Sequence, residues 1–416
     1  MAGGRSLGRQ FGWLWTAYAA STFGTWFALD AFPLIAILAL HAGPLEVSLL
    51  AAAGPAVGAV IAVPLGPWVE LRRKRPVMVA MDLIRFAALT TVPVAFALGW
   101  LTFVQLLAVS VTVAACGIAF RAASGAYLKA IVRPDDLLAA NGRFESTTWT
   151  ATALGPPLGG AAIGAFGPVT TVLADAVSYL VSAAAVGRIT GREPSPTRRA
   201  VPRTAHVLEG WRYILTHSAL RPLLFNTVLV NGLIMATAPL LAVLMLGRLG
   251  FAPWQYGLAF GVPCLGGLIG SRLAPRLAGR FGRHRVMLAA GTLRACWLPG
   301  LAFVHPGPTG LVLVIMVELC LITCVGVFNP LLATYRLQQT ATDRVARTLA
   351  AWTVTSNLAI AALTALWGLL AAVTGPRTAV AIAGLAILAT PLLLPWRELT
   401  RRGASPRRRH AGRSRW

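Results

Sequence analysis

The chain has 416 residues, 56% of them hydrophobic and 12% charged, and its mean hydropathy of +0.69 lies well above that of soluble globular domains. This excludes an ordinary soluble enzyme or binding module and requires a polytopic membrane protein. A formal net charge of +24 would suggest nucleic acid on a soluble chain, but here its meaning depends on where the arginines sit relative to the apolar runs.

A membrane-spanning helix needs about 20 mostly apolar residues. Twelve runs meet that requirement, at 12–40, 46–69, 77–99, 102–128, 143–166, 168–188, 220–247, 254–275, 286–304, 309–334, 346–373 and 377–396. Gly54-Pro55, Pro64, Pro239 and Pro263 interrupt them, and bends are expected there. The basic residues fall in alternate connections: Arg5 and Arg9, Arg72 to Arg75, Lys129 and Arg133, Arg188 through Arg221, Arg272 through Arg285, Arg336 with Arg344 and Arg347, and Arg397 to Arg415. The other connections offer only Arg248 and Arg377. By the positive-inside rule both termini and the central loop face the cytoplasm, which an even number of spans satisfies.

The expected organisation is an all-α integral membrane protein: an N-terminal six-helix bundle over 1–190, a central cytoplasmic loop over 191–218, a C-terminal six-helix bundle over 219–396 and a basic cytoplasmic tail over 397–416. Within the central loop, Val207 to Leu215 has the periodicity of a short amphipathic helix lying along the inner membrane surface. The tail reads as a solvated topogenic segment facing anionic lipid rather than as a nucleic-acid arm.

The two halves repeat. Val286 to Ala289 and Leu293-Arg294 echo Val77 to Ala80 and Ile84-Arg85 at an offset of 209, and Cys116, Phe120, Tyr127 and Asp135 fall on Cys324, Phe328, Tyr335 and Asp343 at 208. Duplicated halves in an apolar chain are the signature of secondary transporters.

The basic turn after the second run carries Gly66, Glu70, Arg72, Arg73 and Arg75, and the same stretch runs on to Asp82 and Arg85. This resembles the Gly-x-x-x-Asp-Arg-x-x-Arg-Arg signature of the major facilitator superfamily, with Glu70 where Asp is usual and Leu71 where Arg is usual. The resemblance implies a gating loop; topology alone would also account for the basic turn. In the fifth run Ala151, Gly155, Pro156, Pro157, Leu158, Gly159 and Gly160 are similar to the antiporter signature of the superfamily's exporters. A small-residue packing seam is the alternative there. Val132 to Asn141 and Asp175 to Tyr179 resemble the branch that holds enterobactin and macrolide exporters. Arg121 and Gly125 superficially match the superfamily's Arg-x-x-x-Gly motif; their place near the basic loop leads us to expect an arginine that snorkels to the cytoplasmic face.

Acids inside spans are costly, about 2.5 to 3.5 kcal/mol at the bilayer centre. Asp30, Asp175 and Glu318 stand out, and at 1.5 Å per residue Asp30 and Glu318 both lie roughly 14 to 15 Å from the outer ends of their runs. The resemblance places both on cavity-lining helices; the alternative is an acid that only packs, the preferred reading for Asp175. Asn226, Asn231, Gln105 and Ser110 are candidates for neutral polar contacts. The acidic pair Asp135-Asp136 could hold Mg²⁺ in a membrane prenyltransferase, but no second acid-rich motif accompanies it. The five cysteines lie in apolar runs and the six histidines are scattered, so no metal, cofactor or enzyme chemistry is expected.

The expected function is proton-coupled export of amphipathic small molecules of the drug, antibiotic or siderophore class, from the plasma membrane of a bacterium, by a monomer. Proton and substrate would compete for Asp30 or Glu318, whose proton affinity desolvation raises. A lipid flippase or uptake facilitator of the same fold is the first rival, and a membrane enzyme or receptor the second.

Overall fold

In lipid every backbone N–H and C=O must be satisfied within its own segment, so apolar runs of this length fold as helices. The computed structural model describes residues 7–29, 31–40, 50, 56, 60, 64–190 and 208–396, and no strand occurs among them. The first span is made of α1 (Arg9–Phe27) and α2 (Ala31–Leu40), separated at Ala28 and Leu29. Only the last turns of the second are described, as α3 (Leu65–Glu70). Then follow α4 (Lys74–Ala97), α5 (Phe103–Ile131), α6 (Leu137–Phe166) and α7 (Pro168–Gly187).

After the short amphipathic α8 (Glu209–Thr216), α9 (Leu220–Ala242) ends in a π-turn over Val243–Arg248, just past Pro239. Pro263 divides the next span into α10 (Pro253–Gly261) and α11 (Pro263–Phe281), because it lacks the N–H that would carry the helix through. The remaining helices are α12 (Arg283–Trp297), α13 (Pro308–Gln339), α14 (Val345–Thr374) and α15 (Pro376–Leu388). Positive-φ glycines at Gly99, Gly167, Gly307 and Gly375 turn the chain tightly between spans.

Among the described residues nine helices are long and apolar enough to cross a membrane. The other three expected spans fall short for separate reasons. The first is split, most of the second lies outside the described residues, and α6, though 30 residues long, carries Asn141, Arg143, Glu145 and a run of Ser and Thr in its first half.

Within residues 9–187, α4 packs on α7 and α5, and α1 on α7 and α6; within 220–393, α11 and α12 pack on α13, and α9 on α14 and α15. Between the two sets α6 meets α11 and α13, while α14 meets α5 and α3. These cross-contacts gather at the end that carries the basic loops. There one apolar core joins Phe120, Ala123 and Tyr127 to Leu337, Val345 and Leu349, and a second brings Leu138 among residues of the other half. At the opposite end the two cores stay separate except for Trp149. The burial of α14 shows the same asymmetry: its buried residues all lie between Val345 and Val354, whereas Val373 is 87% exposed. The halves therefore enclose a cleft that closes at the basic-loop end and opens at the other.

Candidate transport cleft and its closed end

The closed end is a set of polar contacts laid over those apolar cores. Glu70, at the end of α3, accepts the backbone N–H of Arg347 at 2.9 Å and pairs with its guanidinium. Arg347 stands in the first turn of α14, where unsatisfied N–H groups and the helix dipole favour an anion. The same guanidinium pairs with Glu209 of α8, which also lies 3.7 Å from Arg344. Gly210 makes this approach possible, since a Cβ there would come within 2.6 Å of the Arg347 carbonyl oxygen. Burial pushes the Glu70 carboxyl above its ordinary value, and its bonds to Arg347 oppose that rise.

Further contacts tie the halves together. Lys129 donates to the Thr340 carbonyl, Gln338 to that of Pro134 at 3.2 Å and Arg283 to that of Asp135 at 2.9 Å. Deeper in, Asn141 donates to Thr334 at 3.0 Å and Ser146 pairs with Ser271 at 2.8 Å. At the same level Glu145 Oε1 accepts from Asn329 of α13 at 2.8 Å and from Trp149 at 3.0 Å. The neutral ones are modest, about 0.5 to 1.5 kcal/mol net, and those with a charged partner about 1.5 to 3 kcal/mol, so closure is spread over many contacts.

Above this floor stand Tyr18 and Arg121. Tyr18 bonds Thr148 at 2.7 Å, and both Glu145 and Arg121 act on it electrostatically. Arg121 does not snorkel to the cytoplasmic face as the sequence suggested. It lies ten residues, about 15 Å, inside the Ile131 end of α5, and its Nη1 reaches to 3.5 Å from the place of a Cβ on Gly117, one turn further from the basic loops. The cause is geometric, because helical side chains lean toward the N-terminus, which for α5 is the open end.

The sequence-predicted residues divide between the cleft and the cores. Asp30 lies outside the described residues. Glu318 sits ten residues into α13, buried at 6% exposure, with Tyr256 and Cys264 as its ionisable neighbours. No ion pair or hydrogen bond reaches its carboxyl among the described residues. Asn226 is not a cleft residue: fully buried, it donates to the Thr390 carbonyl at 2.7 Å and accepts from Arg294, binding α9 to its neighbours. Gln105 is not one either, since it donates to the carbonyl and hydroxyl of Thr91 at 3.1 and 3.2 Å and fastens α5 to α4 near the open end. Asn231 is half-buried on α9 beside Gly232, which packs against Leu363.

Of the basic stretch, Gly66 lies in α3, Arg72 and Arg73 are exposed, Arg75 is half-buried, and Arg72 stacks over Trp68 at 5.8 Å. Asp82 and Arg85 do not join the loop; they form a buried ion pair within α4, with Ser182 donating to Asp82 at 2.6 Å and the guanidinium stacked 4.1 Å from the Tyr179 ring. Asp175 is buried as well, with Ser178 donating to its carboxyl at 3.2 Å and α1 closing over it at Gly24.

In α6, Gly155 and Gly159 lie one turn apart against the end of α1. A Cβ on Gly155 would stand 2.6 Å from the Trp26 Cβ, and one on Gly159 would fall onto the Phe27 carbonyl. Pro156 lies between them inside the helix, and Gly160 faces open space, outside the seam. The five cysteines are free, and no cluster of His, Cys, Asp or Glu suited to a metal occurs among the described residues.

Sequence reasoning missed Glu145, Glu209 and the depth of Arg121. Glu145 carried a usable signal, an acid eight residues into a 30-residue helix, but its partner Asn329 is 184 positions away.

The sequence profile of the Major Facilitator Superfamily matches residues 14–362. No functionally curated protein matches the chain by sequence. Among solved structures, a bacterial homologue of the iron transporter ferroportin in an outward-facing state superposes with a TM-score of 0.78 at 17% identity, covering 92% of this chain and 98% of that one. The human organic anion transporter MFSD10 gives 0.73 at 15% identity over 92% and 98%. The E. coli fucose:proton symporter gives 0.70 at 13% identity over 94% and 98%. At such identities the likeness is one of fold.

Proposed function

The chain belongs to the major facilitator superfamily and is a multi-pass membrane transporter rather than an enzyme, and on that premise we propose that it exports amphipathic small molecules by proton antiport. The observation that carries the reading is Glu318, a carboxyl at the level of the cleft with no counter-charge or hydrogen bond among the described residues. A carboxylate there has nothing to offset its desolvation, whereas the neutral acid avoids that cost. Glu318 would bind the proton, with Asp30 as a second acid in the cleft. The Gly155 and Gly159 seam on the α1 break supports export, through its likeness to the exporters' antiporter signature.

In this reading residues 1–190 and 219–396 are the two rocking bodies, joined by the loop 191–218, and both termini and the basic tail 397–416 face the cytoplasm of a bacterium. The form described here would be outward-open, with the Glu70, Arg347 and Glu209 cluster as the inner latch. The transporter would work as a monomer, without a cofactor. Cysteines introduced as Gly99→Cys or Gly307→Cys should react with a membrane-impermeant thiol reagent outside intact cells, and Ser195→Cys only after lysis; reversed labelling removes the orientation.

The function itself is tested in inside-out vesicles loaded with a fluorescent amphipathic dye outside. An imposed inward-acid gradient should drive dye accumulation that a protonophore collapses. Equal uptake with and without the gradient would instead favour a facilitator of the same fold.

A further inference from the structure

Arg121 of α5 is a cation deep in the membrane-spanning region whose charge the mechanism above does not use. It is exposed, and no hydrogen bond or ion pair to it occurs among the described residues. Three placements show that it faces the cleft rather than lipid. Gly125, one turn nearer the basic loops on the same face of α5, is pressed by Leu349 of α14, so this face looks directly at the other half. Tyr18 of α1 and Tyr179 of α7 lie near enough to act on Arg121 electrostatically. The Nη1 atoms of both Arg121 and Arg85 lie within 4.0 Å of the place a Cβ would occupy on Gly117. Arg121 thus stands on the cleft floor, one turn outside the point where the halves meet.

The local charge is unbalanced. Arg85 is neutralised by Asp82. Glu145, an acid of the floor, has its Oε1 engaged by Asn329 and Trp149 and forms no ion pair with Arg121 among the described residues. A guanidinium at this depth, exposed to the cleft and without an anion among the described residues, is arranged to receive one, and its planar fork suits a carboxylate, sulfonate or phosphate.

We propose that Arg121 is the cargo-binding cation of the cleft and that the transported amphiphile carries an anionic group which docks there, its apolar body lying toward Trp149 and Tyr18. The assignment rests on the reading of the cleft as the cargo path, and it narrows the cargo from any amphipathic molecule to one with at least one negative charge.

The test uses the full chain in lipid nanodiscs and two probes of similar size, dansyl-γ-aminobutyrate and dansylcadaverine, with binding read by energy transfer from tryptophan and empty nanodiscs subtracted. The wild type should bind the carboxylate at least about tenfold more tightly than the ammonium, Arg121→Gln should erase that preference without weakening dansylcadaverine, and Arg121→Lys should restore part of it. Equal affinities, a preference for the ammonium, no measurable carboxylate binding, or an Arg121→Gln protein that binds carboxylate as the wild type does would each overturn the proposal. If Arg121→Gln does not fold, the wild-type ratio and the lysine variant decide. Carboxylate preference without gradient-driven transport would sink the antiport reading alone; gradient-driven transport of a cationic dye without carboxylate binding would sink this one alone.

Discussion

The two halves keep the same arginine in the same place and neutralise it differently. Arg85 stacks 5.0 Å from the Phe120 ring, and Arg294, 209 positions on, stacks 3.7 Å from Phe328. In the N-terminal half Asp82 completes an ion pair. In the C-terminal half the corresponding residue is Gly291, packed so closely on Phe328 and Leu394 that a Cβ would approach both to about 3 Å. Among the described residues Arg294 therefore has Asn226 and the ring face, and its Nε and Nη1 find no partner. Glu318, ten residues along α13 from Phe328, is about 15 Å away along the axis and does not neutralise it. At this position one half pairs its buried arginine with an acid, and the other leaves it to an amide and a ring. A duplicated fold thus preserves the packing of the arginine while its charge compensation diverges.

The largest effect should come from breaking the paired side. Asp82→Ala leaves Arg85 buried without its anion and should cost about 3 to 5 kcal/mol, read as a fall in thermal stability in detergent; adding Arg85→Met should recover most of it. Arg294→Met should change stability by no more than about 1 kcal/mol, because relief of an unbalanced cation offsets the Asn226 acceptor it leaves behind. Equal losses at Asp82 and Arg294 would erase the contrast between the halves.

Next in size is the glycine seam. Gly159→Leu forces a side chain onto the Phe27 carbonyl, an overpacking of about 1 to 3 kcal/mol or more, and should abolish dye efflux while protein still reaches the membrane. Gly160→Leu, facing open space, should leave efflux near normal. Loss in both would mean that α6 is intolerant for a reason other than its contact with α1.

The smallest effect is expected at the latch. Glu70→Gln keeps an acceptor for the Arg347 N–H and removes the charge, worth about 0.3 to 1 kcal/mol at a helix N-terminus. Spin labels at positions 133 and 280, in a cysteine-free background, should then report a larger open fraction at the basic-loop end. An open fraction unchanged from the wild type would remove the Glu70 charge as part of the latch.

Much of this was legible in the sequence because it is local. Span lengths, the Pro263 break and the amphipathic helix near Trp211 follow from composition and periodicity, and α10, α12, α13 and α14 begin within three residues of the expected starts. Two helices run on beyond the apolar stretch, α11 to Phe281 and α13 to Gln339, and at the end of α13 Gln338 donates to the Pro134 carbonyl of the other half. The floor was not legible. Glu145 with Asn329, and Arg347 with Glu70, join residues 184 and 277 positions apart, and no period in one chain marks such a pair. Asn226 looked like a cleft residue because an amide within a span suggests a ligand, yet its place beside Arg294 makes it a core clasp.

Proton coupling through Glu318 is tested most directly in proteoliposomes with Glu318→Gln, which keeps size and hydrogen bonding but cannot titrate. Gradient-driven uphill transport and downhill exchange of the same dye would be measured side by side. Uphill transport should fall to the level of empty liposomes while exchange continues at a rate comparable to the wild type. Full uphill transport by the glutamine variant would contradict the account and leave Glu318 a packed, silent acid.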